Sequence, residues 1–144
     1  MEDPNRIYLE KVIDLIGDET GGKYYWFLIE FEAQGVINQH LTIEDIREKV
    51  DYSPGYYEVS WDFIKDISKK LSAVVYFHLI GTKSKEDFLN EVEKINQNEK
   101  KWSEIACELD FWIGDGEIWE INGSDIFLVN RLRKTFSQLP RLLW

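Results

Sequence analysis

Side chains able to do chemistry are few in this chain, and they lie far apart. The histidines are His40 and His78. With an ordinary pKa of about 6.5, either imidazole would serve as a general base at neutral pH. Neither has a cysteine or a second histidine at zinc-ligand spacing. His78 sits in an apolar strand with Tyr76 on its face, where a histidine satisfied by a hydrogen bond is the simpler reading. Cys107 is the one cysteine; it alternates with Ile105 and Leu109 and reads as a small buried hydrophobe. A nucleophilic thiol wants exposure and a neighbouring cation, and residues 102–123 contain no lysine or arginine. Glu44 and Glu48 lie one helical turn apart, but Arg47 and Lys49 flank Glu48, and helix surfaces carry such pairs routinely. There is no glycine-rich phosphate loop, no Gly-x-Ser-x-Gly elbow and no calcium loop. These residues predict no enzyme, no cofactor and no metal.

What the sequence does concentrate is acid and tryptophan. Residues 102–123 hold Glu104, Glu108, Asp110, Asp115, Glu117 and Glu120, a net −6 within a whole-chain charge of −10. Trp102, Trp112 and Trp119 lie in the same stretch. The only basic cluster comes late, at Arg131, Arg133 and Lys134, where it suits the C-terminal half of a helix. An acidic balance of 27 carboxylates against 17 basic side chains argues against nucleic-acid binding, which needs a basic footprint. It argues equally against docking on anionic lipid. A cationic protein is the natural complement, because opposite fields steer encounter.

The 144 residues suit one domain over 1–144. One cysteine excludes an internal disulfide framework and fits a reducing cytoplasm. No secretory leader and no apolar run of membrane length is visible.

The elements that must position these residues follow from periodicity. Asp3 and Pro4 start a helix over 5–16, with Leu9, Val12, Ile13 and Ile16 on one face and Gly17 ending it. Residues 23–33 form a strand. Tyr25, Phe27, Ile29, Phe31 and Ala33 share one face; Trp26, Glu30 and Glu32 share the other with Tyr24 and Leu28. Residues 36–41 can pair back as a second strand. Thr42 caps a helix over 43–50, 56–59 is a short edge strand, and Ser60 caps a helix over 61–71. The run Ala73–Ile80 is a buried strand, and Ser84 opens a helix over 85–97. A hairpin over 104–121 follows. A three-residue Gly114-Asp115-Gly116 loop keeps its apolar faces together, pairing Phe111 with Trp119 and Leu109 with Ile121. Asp110 then lies opposite Glu120, a like-charge pair. Ser124 opens a helix over 125–138, preferred to a strand over 125–129 because Leu128, Val129 and Leu132 keep helical spacing.

The fold class expected is α+β, a mostly antiparallel β-sheet with helices packed on one face and the other face partly open. The open face would collect Trp26, Glu30 and Glu32, Tyr76 and His78, and Glu108, Asp110, Trp112 and Glu120. Tryptophan and tyrosine are enriched at interfaces, and carboxylates pair with a partner's arginines. The competing reading makes the acids a solvated face and puts the tryptophans under a helix. In size, charge and acid–tryptophan face, the chain resembles the immunity proteins that bacteria pair with secreted toxins. That resemblance rests on character rather than on a motif, so it assigns no residue a role. It implies neutralisation of a cognate basic toxin, often a nuclease, by occlusion. The acid–aromatic face itself, not the resemblance, points to Glu108, Asp110, Trp112 and Glu120 as first contacts, with Glu30, Glu32 and Trp26 behind them. The alternatives are a nucleic-acid-mimicking inhibitor of phage type and a small enzyme using His78.

Overall fold

The computed structural model describes residues 4–52, 55–114 and 118–138. Five antiparallel strands form one sheet in the order β2-β1-β3-β4-β5: β1 Tyr25–Gly35, β2 Tyr57–Val59, β3 Leu71–Thr82, β4 Leu109–Gly114 and β5 Ile118–Asn122. The helices are α1 Pro4–Lys23, α2 Ile43–Asp51, α3 Trp61–Lys70, α4 Lys85–Asn96 and α5 Ile126–Gln138. This is the antiparallel α+β architecture that the sequence pattern indicates. Asp3, expected as a helix cap, and Asp115 and Gly116, expected in the hairpin turn, lie outside the described residues.

Local chemistry sets most of the boundaries. Thr42 accepts from the Asp45 amide while the Asp45 carboxylate accepts from the Thr42 amide, a complete capping box. Ser60 and Ser84 cap α3 and α4 by accepting from the amides of Phe63 and Asp87. The cap of α5 is Asp125 rather than Ser124, because its carboxylate accepts from the Leu128 amide. Gly17 does break α1, at φ 75° and ψ 163°, but helix resumes to Lys23. Residues 36–42 do not form the second strand expected there; Asn38 Oδ1 turns the chain by accepting from the amides of His40 and Leu41.

Two apolar clusters lie on opposite faces of the sheet. The larger joins α1, α2, α3 and α5 to Trp26, Leu28, Phe31, Phe77, Leu79, Phe111 and Ile121. The smaller joins Phe88 and Val92 of α4 to Phe27, Ile80 and Ile105. One helix therefore covers part of the face that the sequence pattern leaves bare.

A bulge decides which side chains share that face. Phe27 pairs with Ile80 and Leu28 with Leu79, but Glu30 pairs with His78, so Ile29 is an extra residue in β1. One inserted residue inverts the alternation beyond it. Trp26, Leu28 and Phe31 consequently reach the large core, while Phe27, Glu30 and Glu32 share the α4 side. Strict alternation over 23–33 would have grouped Phe27 with Phe31, and Trp26 with Glu30.

Candidate functional site

The strands contain Glu30, Glu32, Glu58, Asp110 and Glu120 and no lysine or arginine. Registers place all five carboxylates on the α4 side of the sheet. Glu58 pairs with Phe27, Glu30 with His78, and Glu32 with Tyr76; Asp110 pairs with Ile80, and Glu120 with Trp112. The row Glu30–His78–Trp112–Glu120 crosses four strands, and Glu32–Tyr76 lies beside it. Alpha-4 covers the Phe27–Ile80 end, so this row forms the open half of the face.

Within the open half the polar groups are organised. His78 Nε2 lies 2.6 Å from Asp110 Oδ1, and His78 is 8% exposed. The half-buried Trp112 donates from Nε1 to Glu30 Oε2 at 3.2 Å. Its six-membered ring occupies the space beside Gly114, where a Cβ would approach Trp112 Cζ2 to 2.2 Å. Gly114 therefore fixes where the indole can lie. Glu32 and Glu120 are exposed, and among the described residues neither has a hydrogen bond or ion pair.

The structure thus brings Glu30, Glu32, Asp110, Trp112 and Glu120 to one surface and removes two expected members. Trp26 is 1% exposed; it donates from Nε1 to the Gly21 carbonyl and packs against Trp61 in the large core. The bulge at Ile29 put it there. Glu108 precedes β4 and is committed to the fold. Its carboxylate accepts from the Lys83 amide at 3.0 Å, and its carbonyl accepts from the Asp125 amide.

The hairpin register also changes. Phe111 pairs with Ile121, Trp112 with Glu120 and Asp110 with Asn122. A two-residue shift keeps every side chain on its expected face but removes the Asp110–Glu120 opposition. Gly114, expected in the turn, is instead a strand residue paired with Ile118. A glycine two positions after a tryptophan was the available signal, because residues i and i+2 share a strand face.

Carboxylates beneath and around α4 behave differently. Glu58 accepts from Lys85 at 2.8 Å. Glu91 is 7% exposed and accepts from Lys100 at 2.8 Å and from the Ala106 amide at 2.9 Å, with Lys94 at 3.5 Å. The Lys100 hydrogen bond, ahead of the opposing effect of burial, holds the Glu91 carboxyl below its ordinary range. Glu91 so fastens the segment before β4 to α4. Cys107 lies within that segment, and burial, aided by Asp110, Glu108 and Glu91, pushes its thiol up to about 12. It is protonated at neutral pH and poorly suited to nucleophilic attack. An open groove of about 640 Å³ runs between α4 and this segment, past Asp87, Glu91, Cys107 and Gly123.

No helix among the described residues is long and apolar enough to cross a membrane. Those residues contain no group of three or more histidine, cysteine, aspartate or glutamate side chains placed to hold a metal. Comparison with protein families, curated proteins and solved structures finds no match to this chain.

Proposed function

We propose that this chain is an acidic binding protein that lays the open half of its sheet against a cationic protein. Within that class, an immunity protein neutralising a cognate basic toxin in the bacterial cytoplasm fits best. The supporting observation is the charge of the sheet: five strand carboxylates on one face, no strand lysine or arginine, and Glu32 and Glu120 exposed with no partner among the described residues. A surface of one sign raises association with the opposite sign and rejects anionic partners.

The test is co-expression with the product of the adjacent gene, followed by capture at rising salt. A basic protein that co-purifies at low salt, is released as salt rises, and is lost with Glu32→Lys plus Glu120→Lys supports the reading. Capture unaffected by that double charge reversal would place the interface elsewhere. A toxin whose toxicity the chain relieves would establish the narrower immunity role.

A second reading has one observation in its favour. A carboxylate 2.6 Å from a histidine nitrogen is the orienter-and-base arrangement of general base catalysis. It requires turnover of some substrate that His78→Ala abolishes, whereas the binding reading requires none.

A further inference from the structure

The open half presents the half-buried indole of Trp112, and among the described residues no cation lies over that ring. The cation–π contact described within the chain, Lys49 over Tyr57, lies elsewhere, on α2 and β2. Trp112 is fixed from two directions, by Gly114 beneath its six-membered ring and by Glu30 at its Nε1. Glu120 is its direct cross-strand neighbour on β5, and such neighbours stand about 5 Å apart at Cβ. Glu32 and Tyr76 occupy the adjacent row.

We infer that Trp112 is a seat for a single arginine of the cationic partner, with the guanidinium stacked on the indole and its N–H groups directed to Glu120, the direct cross-strand neighbour. This inference rests on the binding role proposed above. Three properties select arginine. Its planar guanidinium stacks on aromatic faces, where a lysine ammonium offers only a point charge. Its fork bonds carboxylates two N–H groups at a time. Glu30 is already engaged by the indole, so Glu120, directly across from Trp112, is the carboxylate left to pair there. Preorganisation adds to this, since an indole already held in place loses little freedom on binding. Charge rejects the other occupants of such a face. A second copy would set acid against acid in a chain of net charge −10, and phosphate-bearing surfaces would be repelled.

The experiment titrates the whole protein with capped hexa-arginine and, separately, hexa-lysine. It follows the Trp112 indole N–H resonance by NMR and the affinity by calorimetry. The arginine peptide is expected to shift that resonance and to bind roughly two- to tenfold tighter than the lysine peptide. Trp112→Leu should abolish the preference and leave salt-dependent binding of both peptides, while Glu32→Lys plus Glu120→Lys should remove binding of both. Equal affinities with an unmoved indole resonance in the unaltered protein would overturn the arginine seat and leave the acidic interface standing. Failure of both peptides to bind, or binding that survives the double charge reversal, would overturn the interface and the seat together. The resonance measurement needs no variant, so it decides the matter even if Trp112→Leu does not fold.

Discussion

The two halves of one sheet face treat the same kinds of residue in opposite ways. Under α4, Phe27 stacks on Phe88 with ring centroids 3.7 Å apart, and Glu58 and Glu91 meet lysines. In the open half the aromatic is Trp112, half-buried, and the carboxylates meet neutral donors, a histidine, or nothing among the described residues. A carboxylate that serves the fold is matched with a cation or a backbone amide, because an unmatched charge near the interior is costly. A carboxylate left unmatched at the surface costs the fold little and keeps its charge for a partner. The contrast separates acids matched within the fold from acids left unmatched on its surface, without reference to any relative.

The largest effect should come from removing the cover. Phe88→Ala empties a fully buried site against Phe27 and should cost about 3–5 kcal/mol, read from the denaturant midpoint. A loss below about 1 kcal/mol would mean that α4 adds little to the core and that the halves are not distinct.

Glu91→Ala should cost about 1–3 kcal/mol, since it strands the Ala106 amide and the Lys100 ammonium. The sign of the pH effect follows from the lowered carboxyl. A folded pKa below the unfolded one contributes stability above the ordinary carboxylate pKa of about 4.3. That contribution is lost as pH falls through the folded value. Glu91→Gln should therefore lose less stability than the parent between neutral and acid pH; parallel acid limbs would remove Glu91 from the structural class.

Gly114→Ala tests whether the open half is built or incidental. A methyl group there meets the Trp112 ring, so the indole or the strand must move, at about 1–3 kcal/mol. A shifted Trp112 emission spectrum should accompany the loss. An unchanged spectrum and midpoint would show that the ring is not held as described.

The smallest stability effect belongs to Glu32→Lys plus Glu120→Lys, within about 0.5 kcal/mol of the parent. A loss of several kcal/mol would make these acids structural and dissolve the distinction between the halves.

Much of the architecture follows from local rules. The capping residues Thr42, Ser60 and Ser84, the apolar spacing of Leu9, Val12, Ile13 and Ile16, and the run through Phe77 each express an interaction within a few residues. The bulge at Ile29 does not, because it is a mismatch between β1 and β3 that neither strand encodes alone. It removed Trp26 from the expected surface and kept Glu30 and Glu32 on it. The hairpin faces were legible from alternation over Leu109–Ile113. The register was not, since a shift of two residues leaves every face unchanged.

The sequence by itself determined an acidic α+β chain whose carboxylates and tryptophans concentrate around one hairpin. Composition and short-range periodicity carry that information, and both are properties of the chain alone. Tertiary structure decided which of those residues meet. It set Glu30 against Trp112 across 82 positions of chain and Asp110 against His78 across 32, and it assigned Glu58 and Glu91 to lysines instead. Pairing across a sheet and the placement of α4 depend on how separate segments pack, and local spacing does not specify that.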